Sequence, residues 1–106
     1  MELKPLSDLN FQVEVRENLE NPVLVKFHAP GCNPCAVMDT VLQELAPGFD
    51  GVMFTSCNVQ DAPVTASELG IRSVPTLVLF TDGMVRDMLT GTHSKADLRH
   101  WIQDNV

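Results

Sequence analysis

A chain of 106 residues has room for one hydrophobic core, and a hydrophobic content of 44% is that of a globular domain and not of a disordered segment. The net charge is −7 and the few lysines and arginines are scattered, so a phosphate backbone would repel the chain and no nucleic-acid partner is expected. No apolar run approaches membrane-spanning length, and no basic segment followed by an apolar stretch marks a leader after Met1, so a cytoplasmic protein with no membrane partner is expected.

The first segment, Leu3 to Leu6, reads as a short edge strand. Ser7 or Asp8 can cap a helix running to Asn18, with Leu9, Phe11, Val13 and Val15 in imperfect helical periodicity. Val23 to Phe27 is a β-branched run, the signature of a strand buried on both faces, and Lys26 is its one exception. After Ala29-Pro30-Gly31 a second helix runs to about Ala46, with Val37, Met38, Val41, Leu42 and Leu45 forming one apolar stripe before Pro47-Gly48 stops it. Val52 to Cys57 is the next strand, and Thr65 to Leu69 a short helix ended by Gly70.

Thr76 to Phe80 gives the strongest strand pattern of the chain. Asp82-Gly83 turns a hairpin, and Met84 to Thr90 returns as a strand. Ser94 opens the last helix, with Asp97 three residues on as a capping partner and Leu98, Trp101 and Ile102 facing the core. The other methionines and phenylalanines are expected in the core. Early strand–helix alternation implies parallel strands, and the hairpin adds antiparallel ones. The expected fold class is α/β, a mixed central sheet with helices on both faces, in a single domain over residues 1–106.

Three cysteines are an odd count, and two of them lie only three residues apart, a poor structural framework but a familiar arrangement for intracellular redox chemistry. In Gly31-Cys32-Asn33-Pro34-Cys35 the strand before and the helix after place Cys32 at a helix N-terminus, where free N–H groups and the helix dipole stabilise a thiolate. A free thiol ionises near about 8.5, and one in this setting at about 3.5–7.5. Cys35, one turn further in, can attack a mixed disulfide at Cys32, and Pro34 loses no hydrogen bond in the first helical turn. Zinc would need about four ligands, and neither a second cysteine pair nor His28, His93 and His100 supply that pattern, so no metal and no cofactor are expected.

On these residues the chain resembles the thioredoxin family, along nearly its whole length. The family motif Trp-Cys-Gly-Pro-Cys corresponds to Gly31-Cys32-Asn33-Pro34-Cys35, the cis-proline before a core strand to Val74-Pro75-Thr76, and the glycine ending the hairpin's second strand to Gly91. The resemblance implies the thioredoxin fold, a central mixed five-stranded β-sheet flanked by four α-helices. It also implies that Gly31, Val74, Pro75 and Gly91 line a substrate groove in which the Val74 backbone pairs with a substrate chain. Departures are as informative as matches. Gly31 replaces the tryptophan, Asn33 the glycine between the cysteines, and Thr40 a helix-kinking proline. Lys26 stands where the family carries a buried aspartate that accepts the proton of the second cysteine, and Ser56 where it carries a nearby lysine.

Three readings of Lys26 stay open. Charged, it favours the thiolates and makes the pair more oxidising; neutral, it can take the Cys35 proton; or it snorkels or pairs with a carboxylate such as Asp39 or Asp61. His28, where the family has an aromatic residue, is either a packing residue or a protonated group that lowers the Cys32 pKa. Cys57 reads as a small buried hydrophobe, with a regulatory thiol as the other possibility. The function expected is that of a monomeric thiol–disulfide oxidoreductase acting on disulfide-containing proteins through Cys32 and Cys35, with Lys26 in the catalytic set. The resemblance adds a flavin-dependent thioredoxin reductase as electron donor. The alternative is a binding or chaperone module that presents the Val74–Pro75 groove with little redox turnover.

Overall fold

In a computed structural model that describes residues 2–106, the alternating apolar runs become five strands: β1 (Lys4–Leu6), β2 (Val23–His28), β3 (Met53–Asn58), β4 (Thr76–Thr81) and β5 (Met84–Thr90). They form one mixed sheet in the order β1-β3-β2-β4-β5 among the described residues, so β2 lies at its centre. β2 pairs parallel with β3 and antiparallel with β4, which sets Lys26 opposite Ser56 on one side and Leu77 on the other. The helices are α1 (Asn33–Leu45), α2 (Pro63–Leu69) and α3 (Lys95–Asn105), preceded by a π-helical segment at Gln12–Arg16. Among the described residues no helix is long and apolar enough to cross a membrane.

The alternation of side chains along β2 divides the core in two. Val23, Val25 and Phe27 pack with Phe11, Val15, Val78 and Phe80 on one face. Leu24 packs on the other with Met38 and Leu42 of α1, Leu77 and Leu79 of β4, and Leu98 and Ile102 of α3. Lys26 and His28 follow Leu24 at spacings of two, so both rise from the face that α1 covers.

Several local expectations change. The first helix is not an α-helix from Ser7 to Asn18. The Glu17 N–H reaches the Gln12 carbonyl at 2.9 Å, a five-residue step, while Phe11 and Val15, four residues apart on one face, are both buried in the core. Leu9 and Val13 are left exposed, at 96% and 64%. Asp8 does not cap this segment; its carboxylate accepts the Val64 and Thr65 N–H groups at 3.1 and 2.9 Å and so caps α2 from outside. Val37 is not part of the buried stripe of α1, whose inward side chains are Cys35, Met38, Leu42 and Leu45. Met84 is exposed at the hairpin and not in the core. Trp101 is only partly buried against the core and donates its indole N–H to Asp87 at 2.8 Å.

Candidate active site

The site grows from the end of β2. Gly31 has φ +74°, a left-handed conformation that a side chain would disfavour, and it turns the chain into α1. Cys32 is the N-cap of α1 in an extended conformation, and its Sγ accepts the Cys35 N–H at 3.2 Å, satisfying one of the helix's free donors. Pro34 sits within the first turn, and no acidic side chain there offsets the positive end of the helix dipole. Cys32 and Cys35 are joined as a disulfide with their Cα atoms 5.2 Å apart. The two sulfurs are not equivalent: Cys35 is 3% exposed, whereas Cys32 is only half-buried.

Beside the disulfide lies a cleft of about 490 Å³ whose lining includes both cysteines, Gly31, Asn33, Lys26, His28 and Asp39. Lys26, 4% exposed, donates from Nζ to Asp39 Oδ1 at 2.6 Å, so of the readings left open it pairs, and with Asp39, not Asp61. Gln43 Nε2 donates to the other Asp39 oxygen at 2.6 Å. Burial pushes the Asp39 pKa up, but the hydrogen bonds from Lys26 and Gln43 and the ammonium charge outweigh it and leave it below the usual carboxylate value.

His28 Nδ1 is buried and has no hydrogen-bond partner among the described residues. Burial and then the neighbouring Lys26 charge lower the ring's pKa, while the Lys26 backbone, Asp39 and Asp61 temper the shift. A resting imidazolium that would activate Cys32 is therefore disfavoured. The third cysteine is set apart: Cys57 is fully buried in the opposite core, and burial, with the charges of Asp8 and Asp61, pushes its pKa up to about 12.

Val74, Pro75 and Gly91 do not line the cleft but gather at the same end of the sheet. The β2–β4 register runs to Phe27 opposite Thr76, which brings Pro75 level with His28. The Val74–Pro75 peptide bond is cis, and the Pro75 carbonyl accepts the Gly91 N–H at 2.9 Å. A smaller cleft of about 200 Å³, bordered by Ile71, Arg72, Ser73 and Val74, opens there. Gln43 escaped the sequence reading and Asp39 entered it only as one of two carboxylates. The signal for both was spacing: Cys35, Asp39 and Gln43 recur every four residues on one face of α1.

A sulfur pair that can open and close at a helix N-terminus, one member reachable and the other shielded, is the working part of a thiol–disulfide oxidoreductase. The chain belongs to the thioredoxin family, which it matches over residues 2–104. It is 40% identical over 99 residues to a thioredoxin of Synechocystis sp., covering 92% of each chain. A thioredoxin of Haemophilus influenzae is 37% identical over 106 residues, covering 99% of this chain and 98% of the relative. One from Rickettsia bellii is 34% identical over 102 residues, covering 95% and 96%. The chain is accordingly a protein disulfide oxidoreductase.

Proposed function

We propose that the chain, acting as a single domain in the cytoplasm, exchanges disulfides with protein substrates, with Cys32 as the attacking and Cys35 as the resolving thiol. The observation that carries this order is the asymmetry of the pair: Cys32 is only half-buried and its Sγ accepts the Cys35 N–H, whereas Cys35 is 3% exposed. The Cys32 thiolate attacks a substrate disulfide and releases one substrate thiol. Cys35 then attacks the mixed disulfide, releases the second thiol and leaves the pair oxidised. Gly31, Val74, Pro75 and Gly91 bind the substrate chain. The β2–β4 ladder begins at Thr76, so the Val74 main chain precedes the paired region and is placed to take up an added strand. Asn33 and Pro34 shape the loop, and Lys26 acts on the thiols through its charge. Electrons come from a flavin-dependent thioredoxin reductase.

The test is insulin reduction with dithiothreitol, together with trapping by Cys35→Ser. Turnover by the wild type, and a mixed disulfide accumulating on Cys32 of the variant, are expected. Neither turnover nor a trapped adduct would leave only a binding module. The reduction potential of the pair then gives its direction, with about −270 mV marking a reductant and about −120 mV an oxidant.

A further inference from the structure

Resolution of the mixed disulfide needs Cys35 as a thiolate, and a thiol that is buried resists ionisation unless a base takes its proton. Three titratable side chains share the cleft with the cysteines: Lys26, Asp39 and His28. Two of them saturate each other. An ammonium donating to a carboxylate at 2.6 Å has no lone pair to offer, and Asp39, held by Lys26 and Gln43 at 2.6 Å each, is a weakened base. Only the imidazole is uncommitted, since its buried Nδ1 has no partner among the described residues. Resting on the assignment of Cys35 as the resolving thiol, we propose that His28, and not Lys26, is the base that takes the Cys35 proton.

The geometry of β2 supports this. His28 stands two residues beyond Lys26 on the face that α1 covers, where Cys35 occupies the first turn. His28 and Cys35 both border the cleft, which is roomy enough for one water to carry the proton from the thiol to the ring. The surrounding charges suit a transient carrier. Lys26 on the same strand disfavours a standing imidazolium, while Asp39 on α1, Asp61 beyond β3 and the Lys26 backbone favour the protonated ring once it forms. In the step itself the Cys35 S–H bond breaks and an N–H bond forms on His28. The Cys35 thiolate bonds to the Cys32 sulfur as the Cys32–substrate S–S bond breaks, and the departing substrate thiolate takes the proton from the imidazolium. The cysteine pair loses two electrons and the substrate disulfide gains them.

Stopped-flow reaction of the reduced protein with an equimolar aromatic disulfide, 5,5′-dithiobis(2-nitrobenzoate), separates the steps. The first thionitrobenzoate is released as Cys32 is capped and the second as Cys35 closes the disulfide. In His28→Gln the second release slows at least about tenfold more than the first at neutral pH and loses the inflection, below the ordinary histidine value, that the wild type shows. Lys26→Met keeps that inflection. A second release with the same rate and pH profile in His28→Gln as in the wild type overturns the proposal, as does loss of the inflection in Lys26→Met alone. Should the variant not fold, the wild type decides: by NMR the His28 ring titrates at higher pH in the dithiol than in the disulfide, and identical titrations overturn the proposal. No first release at all would sink the redox role of the pair, and the His28 step with it.

Discussion

Lys26 and Asp39 form an ion pair with unequal ends: the lysine side chain is 5% exposed and the aspartate 30%. The cost of breaking such a pair lies mainly in the charge left behind, and that cost grows with burial. Asp39→Asn strands an ammonium in the core between β2 and α1, whereas Lys26→Met leaves a carboxylate that water and Gln43 still reach. We expect Asp39→Asn to cost about 2–3 kcal/mol and Lys26→Met about 1 kcal/mol or less, read from urea unfolding of the oxidised protein. Equal losses would show that the charge is not buried as described. The odd residue was legible in the sequence because a lysine interrupts a run of buried strand residues. Its partner was not, because Asp39 and Asp61 were equal candidates until α1 and β2 were packed together.

The β4–β5 hairpin was legible nearly to the residue, since an Asp-Gly pair between two apolar runs encodes its own geometry. Asp82 and Gly83 have φ of +53° and +76°, the two positive values that a tight hairpin turn requires. A second constraint on Gly83 comes from far away and left no local trace: a Cβ there would run into the Arg16 carbonyl at the end of the π-helical segment. Gly83→Ala therefore meets both a disfavoured φ and a backbone clash, and we expect a loss of about 2 kcal/mol, measured as a lower urea midpoint. An unchanged midpoint would mean that the hairpin moves off Arg16 freely. The same split explains the first helix. Its apolar residues predicted helix, and Phe11 and Val15 do reach the core at helical spacing, but propensity does not distinguish a four-residue from a five-residue hydrogen-bond step. Asp8 is a comparable case, a cap residue by type whose helix lies elsewhere in the chain.

The whole sheet brings the end of β2, the start of β4, the end of β5 and the N-terminus of α1 to one end, so the residues named from separate motifs converge although nothing in their spacing requires it. The same arrangement writes acid sensitivity into the fold. The His28 pKa is lowered from its ordinary 6.5, so as pH falls below that value the unfolded chain binds a proton that the native state refuses, and stability declines until the native pKa is passed. Asp8 and Asp39 are lowered from 3.8, the first mainly by its hydrogen bond from the Thr65 hydroxyl. Their contribution is fully present above that value and is lost as pH falls through their native pKa values. Both effects have the same sign but different onsets. Urea midpoints of the oxidised protein, in which Cys32 and Cys35 do not titrate, should fall in two stages with acidification, the first beginning near pH 6.5 and the second near 3.8. His28→Phe removes the first stage and keeps the second, because it deletes the burdened imidazole and leaves both carboxylates held. A first stage that survives His28→Phe would place the neutral-range titration on another group and remove His28 as the residue whose burial costs the fold its acid tolerance.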